Sequence, residues 1–318
     1  MYINLFFIDN MKKILFAAFA AFAASGAFAQ EALPAAEFNI ATYNIRLPAR
    51  SDSLEGNGWG TRLPHVAGLI RFHDFDIFGT QEGVSHQLDS LKSRLSGYDF
   101  IGVGRDDGKR GGEHAAIFYD TAVFDVLDHG DFWLSETPDR PSLGWDAACR
   151  RVCTWGHFLH KPSGRQFLYF NLHMDHIGVK ARQESVALIK QKIKDFPIKG
   201  LPVFLSGDFN IDQNNPLIAG ICSDGTFKDS YLSANYVYEP NGTFNNFNPQ
   251  GFTASRIDHI FVSPEVEVEK YGILTDTYRV APDGSDARFD DSLNVNVANY
   301  ISRTPSDHYP VMLRVNIR

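Results

Sequence analysis

Acidic, amide and imidazole side chains stand where several predicted strands end, at positions that turn residues commonly occupy. These residues are Asn44, Glu82, His173, Asp175, His176, Asp208, Asn210, Asp258, Asp307 and His308. Active sites in sheet proteins collect at strand ends and in the loops that follow them. We therefore expect these strand ends to converge on one rim, where carboxylates, amides and imidazoles together could hold a metal ion and activate a water molecule.

Each of these residues, taken singly, also has a purely structural explanation. Asn44 and Asp208 can form turns, and Glu82 is favoured at the N-terminus of a helix by the helix dipole. Asp307 can cap a helix, and His173 can be a buried histidine with satisfied hydrogen bonds. The functional interpretation therefore depends on the whole set.

Hydrophobic patterns predict the elements that must position this set. Strands are predicted at 38–45, 75–82, 100–103, 115–119, 123–129, 158–160, 167–172, 203–205, 257–262 and 309–316. Helices are predicted at 62–72, 84–95 and 180–196, where apolar residues recur with helical spacing. Two runs of strands, each with helices beside it, predict an α+β sandwich in which helices cover the sheets.

Six stretches containing these residues follow one another in a characteristic order. They are Ala41-Thr42-Tyr43-Asn44, Thr80-Gln81-Glu82, Asn171-Leu172-His173-Met174-Asp175-His176, Ser206-Gly207-Asp208-Phe209-Asn210, Arg256-Ile257-Asp258-His259-Ile260-Phe261 and Ser306-Asp307-His308-Tyr309-Pro310-Val311. In this set and order the chain resembles the endonuclease/exonuclease/phosphatase superfamily, which includes deoxyribonuclease I, sphingomyelinases and inositol-polyphosphate phosphatases. The resemblance implies an α+β fold, a four-layer α/β/β/α sandwich of two mixed sheets flanked by helices.

The resemblance also implies a metal site. It makes Glu82 the principal ligand, with Asn44 beside the same metal and Asp307 contributing from the far side. Oxygen ligands suit Mg²⁺ or Mn²⁺, which bind few protein groups and keep several waters. Zinc is the second choice, since His173 and His176 do not lie on a helix in an HExxH arrangement.

Five further residues receive catalytic roles from the resemblance. Asp208 would orient or deprotonate the attacking water, and Asn210 would donate its amide to a phosphoryl oxygen. His308 would contact the phosphate while Asp258 holds its tautomer. His173 occupies a position that stabilises the pentacovalent phosphate and that can be Tyr in nucleases of the family. Histidine there favours the sphingomyelinase, deadenylase and phosphatase branches.

Three residues are candidates for substrate binding: Glu113, Arg151 and His176. Glu113 and Arg151 lie in stretches that resemble secreted bacterial members of the superfamily. The alternative for these two is a surface salt link, which is worth little in solvent. The segment 242–252, rich in Asn and Phe, is predicted to be a loop on the substrate side.

The N-terminus has the pattern of a secretion signal. Met11-Lys12-Lys13 is basic, residues 14–24 are apolar, and Ala27-Phe28-Ala29 precedes a predicted cleavage site. We therefore divide the chain into an N-terminal extension and signal peptide, 1–29, and a catalytic domain, 30–318. No second long apolar run follows, so we expect no integral membrane segment after cleavage and a periplasmic or secreted protein.

The charge of the chain bears on its substrate, and its cysteine content bears on disulfide bonds. Without residues 1–29 the chain has 28 basic and 37 acidic residues, a net charge of −9. Proteins that grip nucleic acid usually carry a basic patch, so this balance favours a smaller phosphoester substrate without excluding nucleic acid. Cys149, Cys153 and Cys222 are too few for a disulfide framework and predict buried thiols or one optional bridge. We predict a monomer.

The sequence thus predicts an exported, divalent-metal-dependent hydrolase in which water attacks phosphorus in a phosphodiester or phosphomonoester. An exported nuclease acting on DNA or RNA is the alternative within enzymes. A non-catalytic binding protein on the same scaffold is a third hypothesis, which the intact set Glu82, Asp208, Asn210 and His308 disfavours.

Overall fold

Two large mixed sheets dominate the computed structural model, which describes residues 33–238, 240–282 and 300–318. Residues 1–29, the predicted signal peptide, lie outside the described residues, so the signal peptide and the boundary at residue 30 stay predictions. The strands described are β1 Ala36–Asn44, β2 Ile77–Gln81, β3 Gly83–Val84, β4 Tyr98–Ile101, β5 Glu113–His114, β6 Ile117–Asp120, β7 Phe124–Trp133, β8 Val152–His160, β9 Arg165–His173, β10 Val203–Asp208, β11 Lys228–Asp229, β12 Tyr236–Tyr238, β13 Asp258–Val262, β14 Val266–Ile273, β15 Tyr278–Val280, β16 Ile301–Arg303 and β17 Val311–Ile317. The helices described are α1 Arg50–Leu54, α2 Trp59–Phe72, α3 Ser85–Arg94, α4 Val179–Asp195, α5 Pro216–Cys222 and α6 Ser230–Ser233.

The two sheets have different strand orders. The first sheet has seven strands in the order β12-β14-β17-β1-β2-β6-β4, and the second has six in the order β11-β13-β10-β9-β8-β7. Two small hairpin-like pairs, β15-β16 and β3-β5, complete the pairing among the described strands. Both large sheets contain parallel and antiparallel neighbours, since β1 is parallel to β2 and β9 is parallel to β10.

The hydrophobic residues form three buried layers that separate four layers of secondary structure. Between the sheets lie, among others, Phe38, Ile40, Phe167, Tyr169, Phe204, Val262 and Leu313. The outer face of the first sheet packs on α2 and α3 through residues such as Val66, Ile70, Phe78, Leu88 and Leu91. The outer face of the second sheet packs on α4 and α5 through residues such as Leu172, Val186, Ile189, Leu205 and Ile221. The fold is therefore the four-layer α/β/β/α sandwich that the sequence predicts.

The strand directions explain why the polar strand ends meet. Parallel strands β1 and β2 end side by side, as do β9 and β10, so their C-terminal ends share one edge of each sheet. Strand β13 is antiparallel to β10, and its first residue Asp258 is the register partner of Asp208. On the other side of Asp208, the register partner in β9 is His173. Pairing across three strands therefore fixes these side chains within one neighbourhood.

A buried amide joins the two sheets directly beneath this edge. Asn171 on β9 accepts a hydrogen bond from Gln81 Nε2 at 2.8 Å and donates to the carbonyl oxygens of Thr80 and Ala116 at 3.0 Å. It packs against Gly79 in the opposing sheet, where an added Cβ would stand 2.2 Å from Asn171 Oδ1. Because the polar atoms are satisfied within the core, this contact fixes the spacing of the sheets below the site.

Arg62 fixes the loops beside the site through hydrogen bonds to their backbone. This arginine is fully buried in α2 and donates to the backbone carbonyls of Asn57, Ile45, Arg46 and Pro305 at 2.7–3.0 Å. Two of those carbonyls directly follow Asn44, and the Pro305 carbonyl comes two residues before Asp307. The guanidinium thus ties the end of β1 to the segment that enters β17.

We expect Arg62→Ala to destabilise the protein by about 3–5 kcal/mol, because a buried network loses its donor and four carbonyls lose a partner. Arg71→Ala in the same helix is the matched control, since Arg71 is exposed and its loss should change stability by less than about 0.5 kcal/mol. Urea denaturation followed by circular dichroism measures both effects. Equal stability of the two variants would contradict this role for Arg62.

Candidate active site

The predicted catalytic and metal-binding residues lie together at the shared edge of the sheets. They are Asn44, Glu82, His173, Asp208, Asn210, Asp258, Asp307 and His308, and all of them except Glu82, His173 and Asn210 are buried. A cavity of about 470 Å³ opens over them. Its lining residues are Arg46, Leu47, Glu82, Arg105, Glu113, Cys149, Arg151, His173, His176, Asp208, Asn210, Phe244, Ile257, Asp307 and His308.

Asp208 is at the centre of the hydrogen-bond network. Its Oδ1 accepts the backbone N–H of Asn210 at 2.8 Å, and its Oδ2 accepts from Asn44 Nδ2 at 3.0 Å. Burial, followed by the charge of Asp258, raises the pKa of Asp208 to about 7. A carboxylate with such a pKa can accept a proton from water near neutral pH, which is the property a general base requires.

His308 is held by a carboxylate on its far side. Its Nδ1 lies 2.8 Å from Asp258 Oδ2, and its Nε2 lies 3.8 Å from Asp208 Oδ2. Burial opposes protonation, but the charge and hydrogen bond of Asp258, with the charge of Asp208, raise the pKa of His308 well above its usual value. This shift favours the imidazolium form, whose Nε2–H can donate to a phosphate oxygen.

His173 and Asn210 form a second pair on the opposite side of Asp208. Asn210 Nδ2 donates to the carbonyl of Met174 at 2.9 Å and lies 3.0 Å from His173 Nε2. Burial and the nearby cations, first Arg151 and then Arg105, lower the pKa of His173 well below its usual value. The pKa shifts of the two histidines beside Asp208 therefore have opposite directions, favouring the neutral form of His173 and the protonated form of His308.

The backbone around the site adopts strained conformations. Glu82 and Asn210 have φ angles of 64° and 54°, in the left-handed region. Asparagine visits this region more readily than most residues, whereas glutamate rarely does. Such conformations cost about 1–3 kcal/mol each and cluster at functional sites. The strain directs the Glu82 carboxylate back toward Asn44, whose Nδ2 donates to Glu82 Oε1 at 3.1 Å.

Two carboxylates define the side of the site that could hold a metal. Glu82 and Asp307 both face Arg46, whose Nη1 lies 3.9 Å from Glu82 Oε2 and 3.5 Å from Asp307 Oδ2. Burial raises the pKa of Asp307, and Glu82 adds to that rise while His308 and Arg46 oppose it. Arg46 also bonds Asp52, so its charge is shared among three carboxylates. The oxygen donors of Glu82 and Asp307 fit Mg²⁺ or Mn²⁺.

The amide of Asn44 is oriented with its nitrogen toward the carboxylates. Its Oδ1 accepts the backbone N–H of Arg46 at 3.0 Å, while its Nδ2 faces Glu82 and Asp208. In this orientation the amide organises the metal-binding carboxylate, and its predicted part as a metal ligand stays a prediction.

Two other groups of side chains have ligand atoms within 4.8 Å of one another in the described part of the chain. One is Asp208, Asp258 and His308, and the other is Cys149, Asp175 and His176. Either group could hold a cation, but in the first the Nδ1 atom of His308 is already bonded to Asp258. The second lies beside the guanidinium of Arg151, 3.6 Å from Asp175, whose positive charge opposes a bound cation.

The three predicted substrate-binding residues all line the cavity. Glu113 does not lie free at the surface but forms a two-oxygen pair with Arg105, with both N···O distances 2.8 Å. His176 Nδ1 lies 3.2 Å from Arg151 Nη2. Their roles toward a substrate stay predictions.

Arg46 and Arg105 also line the cavity, but the sequence patterns did not predict them, since a single arginine in a loop matches no motif.

An aromatic ring from the predicted substrate-side loop lines the cavity. Phe244 is 41% exposed, and its backbone forms an antiparallel bridge with His308. The two rings meet edge to face with centroids 5.1 Å apart. With Ile257 this residue contributes apolar surface to the cavity lining.

Asp175 is bonded to the backbone of the segment between β9 and α4. It accepts the backbone N–H groups of Ile177 and Gly178 at 3.0 and 2.8 Å, while Asp146 accepts the N–H groups of Lys180 and Ala181 in the first turn of α4.

Cys149, Cys153 and Cys222 are all free, so the optional disulfide is absent among them. No helix in the described ranges is long and apolar enough to cross a membrane.

Known proteins share this fold. The model of the Endonuclease/Exonuclease/phosphatase family matches residues 41–308, and the chain belongs to this family. Members of the family hydrolyse phosphoesters, so the chain is a phosphoester hydrolase by class.

Two solved structures from Bacteroides thetaiotaomicron are similar over most of the chain. A mannosyl-6-phosphatase is 53% identical, covering 87% of this chain and 99% of that protein, with a TM-score of 0.81. An endonuclease/exonuclease/phosphatase family protein is 52% identical, covering 90% and 99%, with a TM-score of 0.84. An uncharacterized protein of Acanthamoeba polyphaga mimivirus is 37% identical over 162 residues, which cover 49% of this chain and 60% of the viral protein.

Proposed function

We propose that this protein is an exported phosphatase that hydrolyses a phosphomonoester of a small sugar and requires Mg²⁺ or Mn²⁺. The observation that carries the proposal is the bounded cavity of about 470 Å³ over Asp208 and His308. Cavities of this size accept small molecules. A relative 53% identical to this chain is a mannosyl-6-phosphatase, which supports a sugar phosphate as substrate.

The geometry supports a direct attack of water on phosphorus. Asp208 accepts the proton of the attacking water, because its raised pKa makes it an adequate base near neutrality. His308 donates Nε2–H to the phosphate and stabilises the charge that develops there. Glu82 and Asp307 would hold the divalent cation, which would supply charge neutralisation for the phosphate when bound.

The walls of the cavity support a small organic leaving group. Phe244 and Ile257 offer an apolar surface against which such a group can pack. A long nucleic acid would instead require a basic surface along its backbone. The net charge of −9 without residues 1–29 does not favour such a substrate.

Export is part of the proposal, and its support is the basic, apolar and small-residue pattern of residues 11–29. The predicted monomer likewise remains a proposal.

A substrate panel tests the function. We expect the protein with Mg²⁺ to release orthophosphate from mannose 6-phosphate with kcat/KM at least about tenfold above that for cleavage of a DNA or RNA oligonucleotide. Sphingomyelin and inositol phosphates complete the panel. Cleavage of oligonucleotides without release of phosphate from any sugar phosphate would reject the proposal in favour of a nuclease.

A further inference from the structure

Three arginines line the cavity, and they differ in what their donors already bind. Arg46 bonds the carboxylate of Asp52 at 2.8 and 3.3 Å, and Arg105 bonds both oxygens of Glu113. Arg151 is 5% exposed, and its Nε and Nη1 atoms have no hydrogen-bond partner among the described residues. Of these three arginines, Arg151 is the one whose buried donors lack a partner among the described residues.

The unused donors are not explained by the ion pair that Arg151 makes. Asp175 Oδ2 lies 3.6 Å from Arg151 Nε, which is too far for a hydrogen bond. The carboxylate of Asp175 already accepts the N–H groups of Ile177, Gly178 and Cys149. Asp175 therefore balances part of the charge of Arg151 without satisfying its donors.

A buried donor without a partner is costly, so a side chain held in this way calls for a ligand. Arg151 precedes β8, and its carbonyl accepts the N–H of Leu134 at 2.9 Å, which fixes the backbone. Arg151 and His173 line the same cavity, so the guanidinium lies close to the catalytic centre. The planar guanidinium matches the geometry of phosphate oxygens and can bind two of them at once.

We propose that Arg151 binds the non-bridging oxygens of a terminal phosphate and thereby selects phosphomonoesters over phosphodiesters. This inference rests on the proposed function. A terminal phosphate has three non-bridging oxygens and carries a charge of about −1.5 to −2 near pH 7. A diester has two such oxygens and a single charge. His308 and the cation that Glu82 and Asp307 would hold interact with the phosphate oxygens that both esters have. Arg151 binds the oxygen, and balances the charge, that the monoester has in addition.

Matched esters of one sugar test this selection. The substrates are mannose 6-phosphate and its methyl phosphodiester, compared in wild type, Arg151→Gln, Arg151→Lys and Arg150→Gln. We expect Arg151→Gln to lower kcat/KM for the monoester by about 10- to 100-fold and for the diester by less than about threefold. Lysine should restore part of the loss. Arg150→Gln is the control, because Arg150 is exposed and pairs at 3.7 Å with Asp106.

Binding of orthophosphate to the full chain provides a measurement that needs no turnover. Isothermal titration calorimetry should show Kd raised at least about tenfold by Arg151→Gln and unchanged by Arg150→Gln. Dimethyl phosphate should bind both variants as it binds wild type. An unchanged Kd for orthophosphate, or equal losses for the two esters, would overturn the role of Arg151. Wild type that binds orthophosphate through Arg151 but releases none from sugar phosphates would instead reject the proposed function.

Discussion

Asp208→Asn is expected to lower kcat by at least about a hundredfold, because the amide cannot accept a proton from water. The replacement has the same shape, and its Oδ1 can still accept the N–H of Asn210. Relief from burying a carboxylate whose pKa burial has raised offsets the loss of the hydrogen bond from Asn44 Nδ2, so the melting temperature should stay close to that of wild type. The loss of rate would therefore be chemical. Steady-state release of phosphate, with thermal unfolding of the same samples, measures both quantities.

A matched control for this variant is Asp128→Asn, which changes the same functional group at an exposed position on β7. Its kcat should remain within about twofold of wild type. If Asp208→Asn kept wild-type turnover, Asp208 would not be the base, and the position of the attacking water would have to be sought elsewhere in the cavity.

Glu82→Gln should have the second large effect, on the metal. Its carboxylate is the more accessible of the two that face Arg46, and it is held by Asn44 and by the N–H of Leu47 at 3.0 Å. We expect kcat/KM to fall at least about a hundredfold and the half-saturating Mg²⁺ concentration to rise at least about tenfold. Glu55→Gln, an exposed glutamate, should leave both unchanged.

Metal titration separates this expectation from a purely structural role for Glu82. Wild type treated with EDTA and then freed of it should be inactive, and Mg²⁺ or Mn²⁺ should restore its activity. Full activity in the presence of excess EDTA would exclude the metal-dependent reaction. A Glu82→Gln variant with normal Mg²⁺ dependence but low kcat would show that the carboxylate does not bind the metal.

The sequence predicted the fold and the gathering of the site residues for a definable reason. Alternating apolar residues identify strands locally, and polar residues such as Asp208 and Asp258 break that alternation at strand ends. Their meeting then follows from parallel and antiparallel pairing of a few strands. The order of the six short motifs indicates the superfamily and thereby the topology, which the local hydrophobic pattern alone does not predict.

The residues that sequence reasoning missed depend on contacts between distant segments. Arg62 has the pattern of an ordinary exposed helix residue, because arginine is mostly exposed in proteins. Its burial is explained only by the carbonyl of Pro305, which lies 243 residues further along the chain. In the same way, only the structure shows that Arg105 pairs with the predicted substrate residue Glu113. It also shows that the carboxylate of Asp175 lies too far from Arg151 to satisfy its buried donors.

The loop at 242–252 illustrates an intermediate case. Its Asn and Phe content predicts a loop near the substrate, and the structure places Phe244 at the wall of the cavity. Which ring faces the site could not be read from the composition, since that depends on the bridge between the backbones of Phe244 and His308.

The most direct test of the proposed function compares wild type and Asp208→Asn side by side for release of orthophosphate from mannose 6-phosphate with saturating Mg²⁺. We expect steady release by wild type, no release after EDTA treatment, and a rate at least about a hundredfold lower for the variant. Absence of release by metal-loaded wild type, or equal rates for the two proteins, would contradict it.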